Sequence, residues 1–120
     1  MSKSTSRFIA NNELWNEIHD RVAKGKHVSA AVAYFGRDGA RLLPLKKGDC
    51  IVVGMSLGAV RQGATDPRAV RTLMSRGVRV FSRATLHAKF IVADGTLIAS
   101  SANASHNSRD ILDEAGIINC

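Results

Sequence analysis

The feature that most constrains this chain is the dipeptide Asp94-Gly95, set between two apolar runs. Asp-Gly supplies the positive backbone angles of a two-residue hairpin, so Leu86 to Ala93 reads as a strand and Leu97 to Ala99 as the strand that returns beside it. One antiparallel pair is therefore built into whatever sheet the chain forms. Elsewhere helical and strand patterns alternate, which predicts an α/β (α+β layered) domain with a mixed β-sheet flanked by helices.

The remaining elements follow from period and punctuation. Met1 to Asn12 is polar and Ser-rich, and reads as a frayed start. Asn11 or Asn12 then caps a helix with Leu14, Trp15, Ile18 and Val22 on one face, ending before Gly25. His27 to Phe35 is a buried strand, followed by Gly36, Gly39 and a short helical turn to Leu43. Asp49 to Val53 is a second strand, and Gly54 to Asp66 reads as a long surface loop facing substrate. Asp66 caps a helix that has Pro67 in its first turn, turns Val70, Leu73 and Met74 inward and is closed by Gly77. Val78 to Phe81 is a strand, Ser105 to Ile111 a loop or short helix, and Ala115 to Asn119 a last strand. Trp15 and Phe35 read as core, and no repeat or linker divides the chain, so one domain over residues 1–120 is expected.

Charge bears on partners. The chain of 120 residues carries 17 Lys and Arg against 10 Asp and Glu, a formal net charge of +7. Such a balance suits a polyanion as readily as it serves solubility. The stretch before the hairpin is especially basic: Arg61, Arg68, Arg71 and Arg83, with Arg76 and Arg79 between them, are candidates for tracking phosphates or simply solvated charges. Cys50 and Cys120 have neither the spacing of a zinc site nor the number of a disulfide framework, and read as inert thiols. No signal-like or membrane-spanning run is present, so a cytoplasmic protein without a membrane partner is expected. Gly54 and Gly58 do not form a P-loop, because no Gly-Lys-Ser/Thr follows.

The chemistry concentrates on the hairpin. If Leu86 to Ala93 is a strand throughout, His87 and Lys89 project from the same side, a nucleophile or acid–base beside a fixed cation. That pair suits phosphoryl transfer. His19, His27 and His106 read instead as surface or capping residues.

His87-x-Lys89, four further residues and Asp94 resemble the H-x-K-x4-D signature of the phospholipase D superfamily. Ser100-Ser101-Ala102-Asn103 is similar to that family's G-S-x-N element, with Ser100 in place of the glycine and a turn one residue shorter before it. Glu114 stands where single-motif members carry a supporting glutamate. The resemblance implies a metal-independent reaction through a phosphohistidine, without a cofactor. In it His87 is nucleophile or acid, Lys89 and Asn103 bind phosphate oxygens, Ser101 supports the site and Glu114 orients His87. Asp94, at the turn, is assigned to structure.

Such a mechanism requires two histidines, and the chain has one H-x-K, so a homodimer sharing its active site is expected. The chain stops at Cys120, soon after Glu114, where the resemblance implies further secondary structure; the expected domain is thus either whole or cut short at its C-terminus. The first functional expectation is a nuclease, with DNA favoured over RNA. The alternatives are a lipid phosphodiesterase or phosphatidyl transferase, and a catalytically silent domain for DNA binding or assembly.

Overall fold

The computed structural model describes residues 5–120. Strand β1 (Ser6–Ala10) runs directly into helix α1 (Asn11–Lys24), followed by β2 (Val28–Val32), α2 (Gly39–Leu42), β3 (Cys50–Val53), α3 (Leu57–Arg61) and α4 (Pro67–Ser75). Then come β4 (Arg79–Ser82), β5 (Phe90–Ala93), β6 (Thr96–Ser100), a π-helical turn (Asn107–Ile111) and β7 (Ala115–Asn119).

All seven strands join one sheet in the order β1-β7-β6-β5-β2-β3-β4. Its mixed character has two local causes. β2, β3 and β4 are parallel because helical crossovers connect them. β5 and β6 are antiparallel because Asp94 and Gly95, at φ of 48° and 87°, reverse the chain in two residues. β5 also pairs antiparallel with β2, so the hairpin joins the two halves of the sheet.

One face of the sheet is covered. Ile9, Ala30, Val32, Ile51, Val53, Ile91, Ile98 and Ile118 form a common core with Leu14, Trp15, Ile18 and Val22 of α1 and Val70 and Leu73 of α4. The other face is apolar but open. Strand registers align Phe8, Ile117, Ala99, Phe90, Ala31, Val52 and Phe81 in a row across all the strands, and its outermost rings, Phe8 and Phe81, are 68% and 53% exposed.

Several expectations need correction. The start is not frayed from residue 6 onward: β1 pairs with β7 over its whole length, a contact between chain ends that local pattern does not reveal; residues 1–4 lie outside the described part. Asn11 does not cap α1. Ala10 holds the cap position, while Asn11, at φ 48°, uses its side-chain oxygen to accept from Glu114 N at 2.9 Å. The segment after β3 is not all loop, because Ser56 Oγ caps the short α3 by accepting from Ala59 N. Met74 is exposed, since α4 buries the stripe formed by Ala69, Val70 and Leu73. Asp66 does cap α4, accepting from Arg68 N at 2.8 Å.

A buried carboxylate ties the parallel strands at their start. Asp49 is fully buried and accepts from Val28 N (3.1 Å), Lys46 N (3.0 Å) and Lys46 Nζ (3.0 Å). Removing it strands two backbone N–H groups and leaves Lys46 Nζ with only Val22 O and solvent. Asp49→Ala is therefore expected to cost about 3 kcal/mol of folding stability, read as a lowered urea midpoint, with Asp49→Asn losing less.

Candidate active site

The parallel strands β2 and β3 end where the segment leading to His87 passes. Gly54 marks the closeness of that passage: a Cβ there would stand 2.3 Å from Ala33 O, with Leu86 O at 3.6 Å. Thr65, fully buried, bridges the same region by donating to Gly54 O (2.7 Å) and accepting from Phe35 N (3.3 Å).

His87 and Lys89 do not lie in a regular strand, because β5 begins only at Phe90. The ladder extends one residue further, with Ser100 N donating to Lys89 O at 3.1 Å, and then the chain leaves the sheet. Leu86 N instead bonds back to Arg83 O at 3.1 Å, which closes a turn. His87 is exposed, and among the described residues no hydrogen bond reaches its ring. Lys89 is half-buried and donates from Nζ to His87 O at 3.0 Å. The two residues are thus joined through the backbone carbonyl of one and the ammonium of the other.

Lys89 and Asn103 border one small void whose other walls are mostly core residues, among them Trp15, Ile18, Val32, Leu43, Ile91 and Ile98, so it marks the two as neighbours at the edge of the core and is no binding pocket in itself. Asn103 is held from two sides, its Oδ1 accepting from Tyr34 N and its own N donating to Ser108 Oγ, both at 3.1 Å. That leaves Nδ2 as a donor for a ligand. Ser101 Oγ donates to Glu114 Oε1 at 3.0 Å and accepts from Ala115 N at 3.1 Å, a clasp between the end of β6 and the start of β7. Glu114 is buried, and no hydrogen bond or ion pair joins it to His87 among the described residues. In this conformation Glu114 orients Ser101, not His87.

Solved structures share this architecture. NucT from Helicobacter pylori aligns with 98% of this chain and 86% of its own, at a TM-score of 0.73 and 14% identity. Nuc from Salmonella typhimurium, a phospholipase D family member, aligns over 98% and 83%, at 0.75 and 13%. The fold is phospholipase D-like. Phosphatidylserine synthase from Haemophilus influenzae Rd KW20 carries the same arrangement over 97% of this chain and 34% of its own, at 0.66 and 13%. No family model matches the chain, and no curated protein matches it in sequence.

Within this phospholipase D-like fold the arginines are dispersed. Arg83 lies on the segment leading to His87 and Arg61 on α3, both beyond the C-terminal ends of parallel strands. Arg68 and Arg71 are exposed on α4, and Arg68 pairs with Asp66 at 3.6 Å. Arg76 donates to Ala40 O, a structural contact. Arg79 projects from the edge strand β4. They do not form one patch. Among the described residues no group of three or more His, Cys, Asp or Glu side chains is arranged to hold a metal ion, and no helix is long and apolar enough to cross a membrane.

Two features escaped the sequence reading. His106 Nδ1 lies 2.8 Å from Asp110 Oδ2, pairing the residue that opens a π-helical turn with one inside it. The signal was present as a His and an Asp four residues apart, the spacing of neighbours on one helical face. His106 also lines a cleft of about 380 Å³ that has Asn103 on its wall.

Asp94 is structural, as its place at the turn implied. Its carboxylate accepts from Lys26 N and His27 N, both at 2.9 Å, and these bonds, that from Lys26 foremost, hold its pKa below the ordinary 3.8. A depressed folded value means the bond's contribution is present above the unfolded pKa and lost as pH falls through the folded one. The gap in thermal midpoint between wild type and Asp94→Asn should therefore be constant near neutrality and narrow on going to about pH 2.

Proposed function

We propose that the chain is one half-site of a metal-independent phosphodiesterase that hydrolyses nucleic acid, its active site closed by a two-fold homodimer. The observation that carries the reading is an exposed His87 whose ring has no hydrogen bond among the described residues and whose carbonyl accepts from Lys89 Nζ, with Lys89 a neighbour of Asn103 at the edge of the core. A ring free of internal partners is available to a substrate, while a cation and an amide donor near one another suit the oxygens of a phosphodiester. The net charge of +7 favours a polyanionic substrate, with DNA preferred to RNA.

In the proposed reaction a nitrogen of His87 attacks phosphorus, and the bond from phosphorus to the leaving oxygen breaks. The other protomer's copy of the same histidine gives that oxygen a proton. The second histidine then takes a proton from water as the water oxygen displaces the phosphohistidine, which restores both imidazoles. Lys89 and the Asn103 amide stabilise charge on the non-bridging oxygens throughout. Ser101 and Glu114 keep the Asn103 segment clasped to β7.

One observation favours a second reading. Glu114 is spent on Ser101, so His87 lacks a carboxylate to fix its tautomer, as suits a silent domain that binds nucleic acid without cleaving it.

Hydrolysis of bis-p-nitrophenyl phosphate and plasmid DNA in excess EDTA separates the two. The expected result is metal-free turnover of both, reduced at least ~100-fold in His87→Ala. Absence of turnover from folded protein, or equal rates in both proteins, would sink the catalytic reading and leave the binding one. Cleavage of phospholipid vesicles in place of DNA would reassign the substrate class.

The shared site has its own test. Wild type re-equilibrated with His87→Ala protomers should lose activity as the square of the wild-type fraction, because only pairs with two intact histidines turn over. A linear loss would place a complete site in each chain.

A further inference from the structure

Beside Asn103 opens the cleft of about 380 Å³ walled by Tyr34, Arg37, His106, Asn107 and Leu112. Its volume falls in the range of small-ligand sites. Its walls are separate from the core void that Lys89 borders, and only Asn103 is common to both.

The cleft is rigid where it meets Asn103. Gly36 N donates to Ala104 O at 2.8 Å and Phe35 bridges to Ala104, which fastens the segment after β2 to the segment after β6. Phe35 is fully buried, and the next residue back, Tyr34, turns outward with 38% of its surface exposed. On the opposite wall a relay of hydrogen bonds sets the π-helical turn: Ser108 N donates to Ser105 Oγ at 3.2 Å, and Ser108 Oγ accepts from Asn103 N at 3.1 Å. The π-helical turn holds His106 on the cleft wall, with Nδ1 facing Asp110 Oδ2 at 2.8 Å and no hydrogen bond to Nε2 among the described residues.

The chemistry of the walls is that of a nucleotide site. Tyr34 offers an aromatic face and Leu112, 55% exposed, an apolar one. Arg37 is exposed and has no hydrogen bond or ion pair among the described residues; the neighbouring Asp38 carboxylate is instead paired with Arg41 at 3.6 Å. An aromatic surface for a base beside a free guanidinium for a phosphate is the combination by which proteins follow a single strand.

We propose that this cleft is a subsite for the nucleotide adjoining the scissile phosphate, with its base stacked on Tyr34 and its outer phosphate on Arg37. The subsite rests on the phosphodiesterase reading above, because Asn103 is what connects it to the reacting phosphate. It gives Tyr34 and Arg37 a role in choosing substrate and none in the chemical step.

The test compares Tyr34→Ala, Tyr34→Phe and Arg37→Ala with wild type on a single-stranded oligothymidylate and on methyl p-nitrophenyl phosphate. Tyr34→Ala should raise KM for the oligonucleotide about tenfold with little change in kcat, and Tyr34→Phe should restore it. Arg37→Ala should raise KM and reduce the slope of log affinity against log salt by about 0.7. All three should turn over the small diester as wild type does. Equal losses on both substrates would reveal a merely structural role, and unchanged oligonucleotide KM in Tyr34→Ala and Arg37→Ala would overturn the subsite. If wild type cleaves neither substrate, the phosphodiesterase reading fails separately. Oligonucleotide anisotropy then decides the subsite: binding weakened about tenfold in Tyr34→Ala supports it, and unchanged binding rejects it.

Discussion

The two hydrogen bonds from Lys26 N and His27 N to the Asp94 carboxylate are the point on which the arrangement of this sheet turns. They fasten the hairpin tip to the residues just before β2, and Asp94 N completes the clip by donating to His27 O at 3.2 Å. With its tip held there, β5 can only run back along β2 in the antiparallel sense, Val28 opposite Ala93 and Ala31 opposite Phe90. The residues between Lys89 and Asp94 are the four of β5 itself. At about 3.4 Å per residue that strand carries the chain roughly 14 Å, from the clip at one end of the sheet to Lys89 at the other. The spacing of the motif is therefore the span of a strand: an anchoring carboxylate at one end and the candidate chemistry at the other.

That other end is also where β2, β3 and β4 finish. Three parallel strands deliver their following segments to one edge, the usual location of ligands on open α/β sheets. Gly54 allows the backbones near Ala33 and Leu86 to approach, and Thr65 ties the segment after β3 to Phe35. β6, antiparallel to β5, runs parallel to β2, so the segment after it leaves the sheet at the same end and Asn103 meets Tyr34 there. The buried Asp49 performs the corresponding task at the opposite end, joining Val28 to the turn before β3. Both ends of the parallel strands are thus set by polar groups, while the apolar core fixes only which face is covered.

The hairpin, the order of helices and strands, the capping of α4 by Asp66 and the inward stripe of α1 were legible because each depends on residues close in sequence. What was not legible depends on contacts between distant ones. β1 is a strand because β7 offers it a partner more than a hundred residues away; its own Phe8 and Ile9 make too short an alternation. Glu114 is directed to Ser101 by the register of β6 and β7, which no motif spacing encodes. His87 and Lys89 read as strand because Leu86 to Val92 alternates well, yet the pairing with β2 stops at Phe90, opposite Ala31, and the chain before it turns away from the sheet. The π-helical turn was equally invisible, since it depends on Ser108 reaching Asn103.

Ser100, in place of a glycine, and the shortened turn before it illustrate how a local departure is absorbed. Ser100 faces Gly116 in the β6–β7 register, and a Cβ on Gly116 would stand 2.7 Å from that of Ser100 and 2.4 Å from Ala99 O. The missing side chain on one strand makes room for the added one on the other. Ser100 Oγ then accepts from Ala102 N at 3.1 Å, which turns the chain out of β6 toward Asn103. From there Asn103 is located by Tyr34 N and Ser108 Oγ, not by the distance along the chain from Asp94. Because those anchors belong to the segments after β2 and after β6, the position of Asn103 is set by tertiary contacts and not by the length of the hairpin turn.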